Sequence, residues 1–223
     1  MKIKSLVLAT NDLVKVTDFY GDVLGFPILK QSEMAVTFQI GTSKLTFEKT
    51  STDVAPTYHY AFNISENLFK EAKEWLKARV DLVTDYEGNE IVDFPNWNAH
   101  AIYFMDSVGN IGELIARHDL DHTSSPSFSS KDILSISEVG LPVVDVLDFK
   151  EKVSEVFDLP IYKTASAKFS PLGDEEGLFI CVPLERIWFP TKALKSALFP
   201  IQVTIYASKT GRLIYGDYEI ESI

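Results

Sequence analysis

The residues best suited to chemistry in this chain share one face of its strands. Period-two alternation separates a strand into two faces. In residues 57–64, Tyr58, Tyr60, Phe62 and Ile64 form the large apolar set, and His59, Ala61 and Asn63 stand opposite. The same rule sets Ser5 and Val7 against Leu6 and Leu8, and Thr37 and Gln39 against Val36, Phe38 and Ile40. It sets Thr46 and Glu48 against Leu45 and Phe47, while Glu113 alternates with Gly112 and Leu114. One imidazole and two carboxylates therefore stand among hydroxyls and amides. Such groups can hold and move protons. An antiparallel sheet can leave one face wet, so the pattern fits both a solvated surface and the lining of a cleft.

The opposite, apolar face needs helices to cover it. Val16, Phe19, Tyr20, Val23 and Leu24 recur at three- and four-residue steps behind Asp12, a capping residue. Phe149, Val153, Val156 and Phe157 do the same behind Asp145. These stretches are copies: Ile3–Lys30 aligns without gaps on Ile136–Lys163, with Ile3/Ile136, Leu8/Leu141, Asp12/Asp145 and Pro27/Pro160 among the identities. A further copy begins at Thr57, with Ser65 as the expected cap of a helix striped by Leu68, Phe69, Ala72, Trp75, Leu76 and Val80. Short strands follow each helix. Ile201–Tyr206 and Arg212–Ile220 read as a strand pair around Lys209-Thr210-Gly211. The chain is thus expected to be α+β, with three βαβββ units and a helix-less fourth fragment. The Ser-, Thr-, Asp- and Pro-rich stretch RHDLDHTSSPSFSSKD has a linker composition. It divides the chain into 1–118, a linker at 119–131, and 132–223.

Composition narrows the function classes. The 223 residues are 46% hydrophobic and 24% charged, a globular mix that excludes wholesale disorder. With 21 basic against 32 acidic residues and no basic cluster, a nucleic-acid-binding face is not expected. No apolar run is long enough for a membrane helix. MKIKSLVLATNDL has too short an apolar core for a signal segment and reads as a first strand. The single cysteine, Cys181, lies in an apolar strand as a core residue, which fits a reducing, cytoplasmic setting.

TNDLVKVTDFYGDVLGF resembles the opening of the vicinal oxygen chelate superfamily, which includes glyoxalase I, the extradiol dioxygenases and the fosfomycin- and bleomycin-resistance proteins. TYHYAFNISENLFKEAKEWL resembles the start of the second module of fosfomycin thiol transferases, and AIYFMDSVGNIGELI resembles the closing strand pair. The match covers residues 1–118. It implies paired βαβββ modules curled into a cup, with a divalent metal (Mn, Fe, Ni or Zn) at its base. The ligand positions carried over are Ser5, Thr46, His59 and Glu113, of which only His59 and Glu113 hold ligating side chains. Ser5 stands where the family has its first histidine. Glu48, two residues from Thr46 on the same face, is the expected substitute ligand. Glu138 occupies the first-strand position of the third unit and is expected in a different cup.

The resemblance also assigns roles. Glu113 is the candidate catalytic carboxylate; Ser5, Thr46, Asn63 and Tyr103 are candidate ligand-binding residues. His59 is either a ligand or base, or a group bonded to Glu113 across the sheet. His100 is expected on the helix side, His118 and His122 exposed in the linker, and Glu175–Glu176 in a turn. Val7 and Ala101 replace hydroxyl residues that fosfomycin enzymes use, which argues against that substrate. Three readings follow: a small-molecule-binding protein with an incomplete metal site; a metal-dependent lyase, isomerase, dioxygenase or transferase completed by Glu48; or a structural or interaction module. The chain is expected to be a monomer or weak homodimer.

Overall fold

A computed structural model of the chain describes every residue except Pro126, which falls within the expected linker. The first unit comprises β1 (Lys2–Thr10), α1 (Leu13–Thr17, continued by a π-helical turn, Asp18–Val23), β2 (Ile28–Gln31), β3 (Ala35–Ile40) and β4 (Ser43–Lys49). The second comprises β5 (His59–Ile64), α2 (Phe69–Lys77), β6 (Leu82–Val83), β7 (Val92–Phe94), β8 (Ala99–Met105) and β9 (Ile111–Arg117). The third has β10 (Ile133–Val143), α3 (Val146–Phe157), β11 (Ser170–Asp174) and β12 (Gly177–Pro183). The fourth has β13 (Ile201–Tyr206), β14 (Gly211–Tyr215) and β15 (Tyr218–Ser222). That last fragment holds three strands rather than a pair, because Gly216, at φ +58°, turns the chain inside the stretch read as one strand.

Local signals explain the helix starts unevenly. Asp12 accepts from the Lys15 amide, and Asp145 from the amides of Leu147 and Asp148, as N-caps do. Ser65 makes no such bond: a short 3₁₀ turn intervenes before α2, and its hydroxyl meets that of Ser124 at 2.7 Å. The helix face of the sheet is one apolar core, in which Leu6, Leu8, Phe38, Phe47, Tyr60, Phe62, Val139, Leu141 and Phe179 are almost wholly buried. Within it the hydroxyls of Tyr20 and Tyr60 donate to Asp106 Oδ2 at 2.7 and 3.1 Å. The linker is pinned where Phe128 packs edge-on against Trp75.

Strand pairing decides which units share a cup. β1 pairs antiparallel with β13, so unit one joins unit four. β10 pairs antiparallel with β5, so unit three joins unit two. The two halves meet where β1 crosses β10 at Ile3 and Ile136, the first aligned positions of the internal repeat. There the Ser43 hydroxyl donates to the Ile3 carbonyl at 2.6 Å and accepts from the Ile136 amide at 3.0 Å. Gly41 makes this junction close. Its φ is +54°, and a Cβ would lie 2.0 Å from the Leu134 carbonyl oxygen. Gly41→Ala should therefore destabilise the fold by at least about 2 kcal/mol, through strain and overpacking together. Urea unfolding is the check, and an unchanged midpoint would contradict the junction.

Candidate metal centre and ligand cup

The pairing of units two and three lines up a row across four strands. Glu138 on β10 sits opposite Ala61 on β5, Ala61 opposite Glu113 on β9, and Glu113 opposite Tyr103 on β8. Only the small side chain of Ala61 stands between the two carboxylates in this row. His59, two residues earlier on the same face, leans toward them. One ligating atom from each of His59, Glu113 and Glu138 lies within 4.8 Å of the other two. All three side chains are buried.

The electrostatics of this cluster ask for a cation. His59 Nδ1 lies 3.4 Å from the Ile111 carbonyl oxygen, which places the ring proton on Nδ1. The Nε2 lone pair then faces Glu113 Oε2 at 3.6 Å, a contact that either a cation between them or a proton on the Glu113 carboxyl satisfies. Burial lowers the imidazole to a pKa of about 4, so it is neutral at pH 7. Burial, reinforced by the charge of Glu138, pushes the Glu113 carboxyl well above the carboxylate range, against smaller opposing effects of Arg117 and the neighbouring Tyr103 hydroxyl. Burial raises Glu138 too, against the pull of Arg117. Arg117, at the end of β9 and 1% exposed, pairs with Glu138 through Nη2, and its Nη1 has no hydrogen-bond partner among the described residues. Its guanidinium stacks under Trp97 at 5.3 Å.

Above the carboxylates lies a cavity of about 380 Å³. Phe94, Trp97 and Tyr103 wall it from unit two, and Phe169, Trp188 and Phe189 from unit three; Asn96 and Arg186 supply polar groups. Gly140 lets Trp188 reach the floor, since a Cβ there would lie 2.6 Å from the indole. The Trp188 ring also packs on His59, 5.1 Å between centroids.

The structure brings His59, Glu113 and Tyr103 together, but not with the other expected residues. Ser5 pairs with Thr204 and Lys44, and Thr46 with Thr37, on the sheet of units one and four; Glu48 is solvent-exposed there. By register the corresponding positions in that half are Ser5, Thr46, Gln202 and Glu221, which leaves a single carboxylate. Glu48 therefore stands apart from His59 and Glu113, and Glu138 stands beside them, because unit three rather than unit one lies beside unit two. Asn63 is buried on β5 but donates weakly, at 3.4 Å, to the carbonyls of Glu175 and Glu176 in their turn. His100 is on the helix side as expected. His118 is not free in the linker: its ring bonds to His100 and Glu66.

The family model described as the Glyoxalase/Bleomycin resistance protein/Dioxygenase superfamily matches residues 2–123, and the chain belongs to that superfamily. It is 29% identical over 117 residues to the metallothiol transferase FosB of Staphylococcus haemolyticus (strain JCSC1435), covering 50% of this chain and 81% of the relative. Among solved structures, a putative dioxygenase from Bacillus subtilis subsp. subtilis str. 168 superposes with a TM-score of 0.67 at 12% identity, over 100% of this chain and 85% of the other. Glyoxalase I from Zea mays superposes with a TM-score of 0.55 at 13% identity, over 91% of this chain and 74% of that one. These structural likenesses establish the fold: curved βαβββ modules with helices outside. No helix among the described residues is long and apolar enough to cross a membrane.

Proposed function

We propose that the cup of units two and three binds one divalent metal ion through His59, Glu113 and Glu138, and above it a compact small molecule. The observation that carries this is the convergence of three buried ligand atoms under an aromatic cavity. One imidazole and two carboxylates suit Mn, Fe, Zn or Ni. When bound, the ion would act as a Lewis acid on a ligand oxygen. The chain's own residues do the rest. The Ile111 carbonyl fixes the His59 tautomer, and Arg117 fixes Glu138 from beneath. Glu113 is the group placed to take and return a proton, which makes a lyase, isomerase or transferase the natural chemistry; dioxygenase chemistry would need dioxygen and a redox-active ion, Fe or Mn, as well. Two carboxylates, one guanidinium and a divalent ion sum to one positive charge, which favours a ligand with one anionic oxygen. The aromatic walls bury its apolar part and exclude water. An open cavity of this size fits a ligand site better than a purely structural module. The intramolecular 2–3 and 1–4 pairings leave no module unpaired, consistent with a monomer or weak dimer, and buried Cys181 fits a cytoplasmic setting.

The test is metal content after loading and dialysis. Wild-type protein should retain about one equivalent of Mn or Zn, and His59→Ala should lose it; equal retention would refute the reading. Ligation needs Glu113 deprotonated, so affinity should rise with pH and uptake near neutrality should release a proton. Calorimetry in two buffers of different ionisation enthalpy measures that release, and a buffer-independent heat would contradict it. The raised Glu113 carboxyl also has a sign for stability. Its contribution to the metal-free fold is present at low pH and is lost as pH rises through the folded pKa.

A further inference from the structure

The cavity carries one charged group that metal binding leaves unused. Arg186 lines it, the only arginine or lysine to do so among the described residues. Its backbone is fixed by the fully buried Ser196. The Arg186 amide donates to Ser196 Oγ at 3.1 Å, and the Arg186 carbonyl accepts from the Ser196 amide at 2.7 Å. Ser196 Oγ donates in turn to the Pro183 carbonyl, at the end of β12, at 2.8 Å. The guanidinium lies over Phe169, 5.1 Å from the ring centroid, and Phe169 stacks on Trp97 at 6.1 Å. Its Nη1 donates to the Lys168 carbonyl. Backbone, ring and hydrogen bond together hold this side chain in place.

What the guanidinium lacks is an anion. No carboxylate among the described residues pairs with it, and the adjacent Glu185 is held by Lys195 at 2.8 Å. Nε and Nη2 make no hydrogen bond among the described residues. That edge of the fork presents two parallel N–H groups, the pattern that meets both oxygens of a carboxylate. Partial burial works against the charge, a cost that a paired anion offsets. The floor, with Glu113 and Glu138, is acidic, so a ligand carboxylate is drawn to Arg186 instead. Phe94, Trp97, Phe169 and Phe189 are only half-buried, which leaves ring surface for an apolar ligand body to cover. One guanidinium matches a monoanion and leaves a phosphate dianion half-compensated.

We propose that Arg186 determines the specificity of the cup by binding the carboxylate of a ligand whose apolar body lies between the aromatic walls. The substrate class is then a carboxylic acid with an apolar body, its carboxylate additional to the oxygen placed at the ion. Arg186 acts this way only if the cavity is a ligand site, as proposed above. The experiment titrates 3-phenylpropanoate and its uncharged amide into the full-length chain after dialysis against a chelator, so that the carboxylate has no ion to bind. The indole N–H resonances of Trp97 and Trp188 report binding in the cavity. At low salt the acid should bind about tenfold or more tightly than the amide, as a charge-assisted pair allows. Arg186→Gln should reduce the acid to the affinity of the amide and leave the amide unchanged, which shows that the cavity is intact. Arg186→Lys should keep a weaker preference. No indole shift with either probe, equal binding of acid and amide to the wild type, or a preference that survives Arg186→Gln overturns the proposal. A carboxylate preference in a chain that retains no metal would refute the metal centre and uphold this site; retained metal without the preference would do the reverse.

Discussion

Glu138→Gln should remove the bound metal ion, although every residue that resembles a family ligand position in the first 118 residues is left untouched. The substitution keeps size and hydrogen-bonding capacity but takes away the anionic oxygen beside His59 and Glu113. The loss should exceed the ~10–100-fold that a supporting outer residue commands. Equilibrium dialysis with Mn²⁺ or Zn²⁺ measures it. Ser5→Ala and Glu48→Gln should leave metal content unchanged, because both lie on the sheet of units one and four. The opposite outcome, metal lost with Glu48→Gln and kept with Glu138→Gln, would place the site between units one and two.

Arg117→Met should destabilise the metal-free protein by about 3–5 kcal/mol, the usual result of stripping a buried charge of its partner. Glu138 is 3% exposed and pairs with Arg117, so the carboxylate would be left buried beside Glu113 without its cation. Two additions separate this account from a generic packing loss. Glu138→Gln in the Arg117→Met background should recover much of the stability, since no unpaired charge remains. Saturating divalent metal should recover it too, because the ion then compensates Glu138, and anything bound only to the native state stabilises it. Urea denaturation with and without Mn²⁺ reads all three. An Arg117→Met loss that neither change relieves would mean that the guanidinium matters only for its packing against Trp97 and Tyr162.

Much of the fold was legible because it is local. The alternation at 57–64 and the stripes behind Asp12 and Asp145 each lie within a few turns of chain, the repeat across the linker duplicates one such local pattern, and each of these elements formed where its pattern ran. The faces followed too: His59 and Glu113 point to the side away from the helices, as their neighbours Tyr60 and Leu114 require. What sequence could not show was which units share a cup. That depends on which first strands lie side by side, β10 with β5 and β1 with β13, contacts between distant residues with no periodic signature. Glu138 was visible as an acidic residue at a first-strand position, and its partner as a second signal: Arg117 continues the inward row of Glu113 and Ile115 on β9. A cation and an anion on inward faces of different units point to pairing between those units. The aromatic walls at Phe94–Trp97 and Trp188–Phe189 come from irregular segments, where alternation assigns no face. The fourth unit's extra strand was hidden because Gly216 breaks a stretch whose apolar residues otherwise run on.

The most direct test is anomalous diffraction from crystals grown with Mn²⁺ or Zn²⁺. One peak should lie in the cup of units two and three, within bonding distance of His59 Nε2 and of carboxylate oxygens from Glu113 and Glu138. A cup without a peak, or an ion held instead near Ser5, Thr46 and Glu48, would contradict the assignment.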